Sequence, residues 1–284
     1  MLLLSNIFSI IYITVFLGFV IYMITRKKKK GGRSGESGIG NAPPSFLKII
    51  SPHYGLYDRN YMPFLDMLRE YNVNACRVFA YGGGSSWPDF PFKLWSGNYM
   101  GDVLPEGLNQ IVDFVKEANR RGIWVVISLT QNNSGGHTED ITSRNRGEIA
   151  TYLSKVIPAL KDYGVIFETA NEIDDRGFQE FVLSKLRENG VRWSCSYAHD
   201  IGATYRSVHT LDKNYIGGRT IHSNDVGGYT GHYNNGDYIN IARQAKEQGG
   251  HFEFLMFWSR NGELHSPDEI RRDYGDVLEA IKGL

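Results

Sequence analysis

From Phe46 onward the chain alternates. Short apolar runs of strand length give way, one after another, to amphipathic stretches of helix length. Parallel strands need a crossover to bring the chain back, so this pattern predicts repeated strand–helix units around a parallel sheet. Strands are expected at 47–53, 75–81, 123–129, 165–170, 191–197, 205–211, 218–223 and 251–259. Helices are expected at 61–71, 108–121, 148–162, 177–188 and 236–248, with a last one beginning at Ser266. Ile111, Phe114, Val115 and Ala118 recur at helical spacing, and Gly122 is the natural stop after them. Ser266-Pro267-Asp268-Glu269 supplies a cap, a first-turn proline and a capping-box glutamate. Eight strands in this order predict an α/β chain folded as a (β/α)8 TIM barrel over 46–284, close to the roughly 250 residues such a barrel needs. The pattern is weakest over 198–225. Merging the sixth and seventh strands there gives the alternative of an incomplete barrel.

The first part of the chain obeys a different rule. Residues 2–25 are almost wholly apolar and uncharged, and about 20 such residues span a bilayer core. The start is neutral and the basic run Arg26–Lys30 follows the apolar stretch. That is the order of a retained transmembrane helix, not of a cleaved signal peptide. By the positive-inside rule the basic flank, and the barrel with it, lie on the cytoplasmic side of a single-pass anchor. The anchor and its flank occupy 1–30. Residues 31–45, rich in Gly, Ser and Pro, are expected to be a flexible linker.

Charge narrows the function classes. The sequence holds 31 basic and 31 acidic residues. With Arg26–Lys30 set aside the barrel is mildly acidic, which argues against nucleic acid as a partner. Cys76 and Cys195 fall in separate expected strands and show no metal or disulfide spacing. Walker, dinucleotide-binding and zinc patterns are absent from the sequence. The 17 Tyr, 15 Phe and 5 Trp suit flat polar ligands such as sugars, though a large core uses them too.

In a parallel barrel the active site lies at the C-terminal ends of the strands. The fourth strand runs out through Glu168-Thr169-Ala170-Asn171-Glu172. Period-two alternation puts Glu168, Ala170 and Glu172 on one face, with Glu172 at the mouth and Glu168 below it. A strand-end carboxyl beside a carboxamide suits general acid/base work, while a loop or capping role is the bland alternative. In the second strand Arg77 shares a face with Ala75 and Phe79, and a buried Arg requires a carboxylate partner. Asp225 is the acid that follows the seventh strand, and Glu263 the one just past the eighth. Glu253 lies too close to Gly250 to end its strand. His53 with Tyr54, His209 and His222 stand where they can orient hydroxyls or carboxylates. Gln131 and Asn132 stand where a sugar can be touched. Trp87, Phe90, Trp95 and Tyr99 fill the long second loop, either as a stacking wall or as a mini-core of their own.

The run VIFETANEI resembles the strand-four motif of clan A glycoside hydrolases, the group that includes the cellulase-like family five. That motif ends in Asn-Glu with a further Glu four residues before the catalytic one. NVNACRVFA, at 72–80, resembles the clan's second strand. The run at 108–129 resembles the helix–strand unit that follows. The resemblance covers about a third of the chain. It implies that Asn171 touches the sugar 2-hydroxyl, that Glu172 is the acid/base, that Arg77 supports the nucleophile and that Trp258 lies under the reactive sugar. His209 is a partial match to the clan's strand-six histidine. With Walker, dinucleotide-binding and zinc patterns absent, no metal or cofactor is expected. The departure is at strand seven, where the clan has a Glu and this chain has Asp225, one methylene shorter.

Two functional readings result. The first is a membrane-anchored glycoside hydrolase that cleaves O-glycosidic bonds of a β-linked oligo- or polysaccharide with two carboxylates, Glu172 and Asp225. The second is a catalytically impaired, membrane-tethered carbohydrate-binding protein on the same barrel.

Overall fold

The computed structural model describes residues 38–52, 61–80, 92–95, 99–130, 142, 145–208, 219–223, 235–256 and 266–284. Eight parallel strands close into a barrel in simple sequence order. They are β1 (Lys48–Pro52), β2 (Ala75–Phe79), β3 (Trp124–Ser128), β4 (Val165–Glu168), β5 (Ser194–Tyr197), β6 (Tyr205–Val208), β7 (Thr220–Ser223) and β8 (His251–Met256). β1 pairs with both β2 and β8, which closes the ring. The incomplete-barrel alternative is therefore overturned: β6 and β7 are separate strands, paired from Arg206↔Thr220 to Val208↔His222.

The helices among the described residues are α1 (Met62–Glu70), α2 (Pro105–Arg120), α3 (Arg146–Leu160), α4 (Arg176–Glu188), α5 (Asn235–Glu247) and α6 (Pro267–Lys282). Their ends follow local chemistry. The Asn145 side chain accepts from Gly147 N to start α3, and Asp175 accepts from Phe178 N to start α4. α6 opens on the full Ser266/Glu269 capping box. α2 stops at Gly122, whose φ of +80° is left-handed backbone that glycine takes without penalty.

β5 and β6 are joined by 198–204 without a helix. A crossover this short works because both strands are only 4 residues long, so there is little distance to retrace. Ser194, the first residue of β5, and Thr204, just before β6, bond to each other, Ser194 N to Thr204 Oγ1 and Thr204 N to Ser194 Oγ.

Strand alternation divides the barrel interior into two levels. Leu47, Ile49, Ala75, Trp124, Val126, Ile166, Cys195, Tyr205 and Ile221 form an apolar floor. Ile39, inside the stretch expected to be linker, packs against this floor. Toward the C-terminal ends of the strands the same faces turn polar, with Ser51, Arg77, Ser128, Glu168, Ser207 and Glu253 all buried. The other strand faces join the helices in a second, larger core.

No helix among the described residues is long and apolar enough to cross a membrane. The segment 2–25 expected to do so lies outside the described residues.

Candidate active site

Arg77 is the hub of the polar level. It is 2% exposed and projects from the middle of β2 into the barrel. Its Nε and Nη2 donate to Glu168 Oε2 at 2.9 and 2.5 Å. Nη1 donates to Glu253 Oε1 at 3.2 Å, and Nη2 also donates to Asn171 Oδ1 at 2.7 Å. Ser51 Oγ donates to the same Glu253 oxygen at 2.5 Å. The guanidinium carbon sits 5.0 Å from the centre of the Phe79 ring. Three strands and the segment after β4 thus meet at one cation, and β1 joins them through Ser51 on Glu253.

The chemistry of the hub fixes an orientation. A guanidinium has donors only, so the Asn171 atom facing it is the carbonyl oxygen. The Asn171 amide is left as the donor end. The charges are also unequal, with one guanidinium between two carboxylates that are each 1% exposed. Cys195 lies beside the group. Burial, then the Glu168 carboxylate, hold its thiol well above the usual range.

The segment carrying Glu172 is pinned from both sides. β4 ends at Glu168, where its pairing with β5 also ends, at Cys195. Beyond it, Asn171 N donates to Thr130 O and Thr130 Oγ1 to Thr169 O, each at 2.8 Å. Gln179, fully buried on α4, donates to Ile173 O and accepts from Thr169 Oγ1 and from Tyr197 N. Glu172 itself is half-buried with a φ of +52°. A left-handed glutamate is an uncommon and costly conformation of the kind that collects at functional sites.

This corrects one expectation. Alternation was expected to carry Glu168, Ala170 and Glu172 on one face. Instead Asn171 is the residue that returns to Arg77, three positions after Glu168, while Ala170 packs into the larger core. Regular strand geometry ends at Glu168, and by Glu172 the backbone is left-handed, so period two no longer applies.

At the rim beside this segment, His199 Nε2 lies 2.7 Å from Asp174 Oδ1. The two follow β5 and β4.

Of the residues singled out by sequence, the structure brings together Arg77, Asn171 and Glu168. Glu172 is adjacent to Asn171 in the pinned segment. Asp225, Glu263, His53, Tyr54, His209, Gln131, Asn132, Trp258, Trp87 and Phe90 lie outside the described residues, as does the side chain of His222. Trp95 is buried at 3% and packs edge-on against Tyr152, so it belongs to a core and not to a stacking wall. Tyr99 is 46% exposed.

Sequence reasoning missed Glu253, Ser51 and Gln179 as parts of this arrangement. Glu253 does lie mid-strand, as expected, yet it reaches the network because Arg77 is long enough to cross over β1. A usable signal was present: Glu253 is an acid between Phe252 and Phe254 in a strand read as apolar.

No family model and no curated protein matches the chain. Solved structures do. A Prevotella bryantii endo-β-mannanase/endo-β-glucanase matches with a TM-score of 0.61 at 12% identity, over 87% of this chain and 50% of that one. The chain thus spans half the length of that protein. A family 5 glycoside hydrolase from Prevotella bryantii B14 matches with a TM-score of 0.59 at 13% identity, over 88% of this chain and 98% of that one. A family 5 xyloglucanase from Paenibacillus pabuli matches with a TM-score of 0.53 at 12% identity, covering 78% and 89%. The likeness is one of fold: the barrel is the one these enzymes use.

Proposed function

We propose that this barrel is a glycosidase that cleaves O-glycosidic bonds of a β-linked glycan, with Glu172 as the acid/base. The observation that carries the reading is the network that holds Asn171-Glu172 at the mouth end of β4, from Arg77 below and from Gln179 behind. Acid/base catalysis demands a carboxyl fixed to within a fraction of an ångström of the leaving oxygen, and a strained, multiply pinned segment supplies that. Glu172 protonates the leaving group. Asn171, its oxygen held by Arg77, offers its amide to a sugar hydroxyl. The second carboxylate is Asp225, with Glu263 as its rival. It attacks the anomeric carbon if it lies roughly 5 Å from Glu172, or activates water if it lies farther away.

Fold neighbours give the substrate class its direction. One family 5 structure is a complex with a xyloglucan tetradecasaccharide and another is a complex with cellotriose. Barley β-glucan, xyloglucan and konjac glucomannan are therefore the first substrates to try. Reducing-end release from one of them by the full chain, lost in Glu172→Gln with the fold retained, is the expected result. Undiminished release by Glu172→Gln sinks the assignment. The second reading, a carbohydrate-binding barrel, is favoured by Asp225 standing where a glutamate is expected. It predicts oligosaccharide binding without release. Tethering through residues 2–25, with the barrel on the cytoplasmic side, is part of the same proposal. Protease accessibility of the barrel in sealed vesicles tests it.

A further inference from the structure

The proposed chemistry uses no charge on β8, yet β8 buries one. Glu253 is 1% exposed, between Phe252 and Phe254, which pack into the outer core. A second buried carboxylate beside one that already pairs with Arg77 is costly to desolvate. Its geometry says what it does. The Nε and Nη2 bonds of Arg77 both end on one oxygen, Glu168 Oε2, which makes that atom a pivot. Rotation of the planar guanidinium about this pivot would carry Nη2 away from Asn171 Oδ1. The Glu253 bond acts on Nη1, at the far corner of the fork, where it opposes that rotation. Ser51 Oγ in turn holds the Glu253 oxygen that makes the bond.

We infer that Glu253 is a positioning residue: acting through Arg77, it fixes the Asn171 carboxamide in one orientation beside Glu172. The chain of contacts runs from Ser51 to Glu253, Arg77 and Asn171, so a residue of β8 sets the geometry at the end of β4. Its bearing on turnover rests on the glycosidase reading; its bearing on Asn171 does not.

The test is nuclear magnetic resonance of the full chain in mild detergent, read at the Asn171 side-chain amide, which is assigned by its loss in Asn171→Asp. Glu253→Ala is expected to shift or broaden the Asn171 amide pair and the Arg77 Nε–H signal while the floor methyls of Ile49, Val126 and Ile166 stay in place. Glu253→Gln keeps an oxygen acceptor and is expected to restore the wild-type amide. An Asn171 pair unmoved in Glu253→Ala overturns the inference. Should that variant not fold, Ser51→Ala removes the hydroxyl that holds the same oxygen. It reads the same way: a moved pair supports the inference and an unmoved pair overturns it. On barley β-glucan, Glu253→Ala is expected to lower kcat roughly tenfold at nearly constant KM, as misplacement of a reacting geometry does, with recovery in Glu253→Gln. A wild-type chain that releases no sugar from any of the three glycans sinks the glycosidase reading and leaves the amide signal to judge Glu253.

Discussion

Arg77 holds a single positive charge between two buried carboxylates, and the consequence is asymmetric. Arg77→Met leaves Glu168 and Glu253 buried without the guanidinium that joins them, at a cost of about 3–5 kcal/mol. Adding Glu168→Gln and Glu253→Gln to it removes the stranded charges. The triple variant is expected to regain most of the loss, and equilibrium denaturation in urea compares the two. A triple variant no more stable than Arg77→Met would show that packing, not charge, is what Arg77 contributes. Glu172 poses a backbone question. Its φ of +52° costs an L residue about 1–2 kcal/mol, and glycine escapes that cost. Glu172→Gly is therefore expected to be more stable than Glu172→Ala by about 1 kcal/mol in the same assay, although both lose the carboxyl. Equal stabilities would mean that the segment relaxes out of the left-handed region when the glutamate is removed. Need and identity separate at this scale. That Arg77 requires a carboxylate follows from the charge of a buried guanidinium. That it takes two, from β4 and β8, follows from how far the side chain reaches across a closed barrel, and no local pattern encodes that reach.

Elements were more legible than contacts. The strands from β1 to β8 and the helices between them follow from hydrophobic period, and the start of α6 from a capping box readable in four residues. The end of β4 was not legible in the same way. The expected strand runs on to Ala170, but β4 stops at Glu168, opposite Ser128, where its other partner β3 ends. The length of one strand is a property of its neighbour. The β2–α2 connection shows the same limit. Aromatic enrichment there suits a sugar-stacking wall as well as it suits a core. The backbone decides for Trp95: it bridges to Val103, and the neighbouring Leu104 N donates to Leu94 O at 2.7 Å. The loop is fastened further by Lys155 Nζ on Gly101 O at 2.6 Å and by the Glu148 carboxylate on Met100 N. Trp95→Ala is expected to cost about 3–5 kcal/mol, as deletion of a buried indole does, and to expose the 92–103 segment to hydrogen exchange. A loss below about 1 kcal/mol would return Trp95 to the surface roles.

At the scale of the whole molecule the barrel holds several acids in their neutral form. Cys76 and Cys195 are both fully buried, and burial pushes both thiols up. Burial does the same to the Tyr152 phenol, and pushes Tyr205 up to about 12 with help from Cys195. The sign of the linkage follows. In the unfolded chain thiols release protons near pH 8.5 and phenols near pH 10, while the folded chain keeps them. Above those values the unfolded state binds fewer protons, so stability falls as pH rises, by up to about 1.4 kcal/mol per pH unit for each group. Stability from these groups is complete below about pH 8 and is lost in two stages, thiols first. Urea midpoints measured from pH 7 to pH 10.5 are expected to hold level and then bend downward near pH 8.5. In Cys76→Ala/Cys195→Ala the first bend should vanish and the decline begin near pH 10, whatever the absolute loss from the two cavities. A double variant that still bends near pH 8.5 would place the proton release elsewhere. The same burial makes the native thiols inert to a disulfide reagent at pH 8, with reaction gated by unfolding. Both measurements read the buried interior, where Cys195 shares the floor with Ile166 and Tyr205 while Cys76 and Tyr152 belong to the larger core.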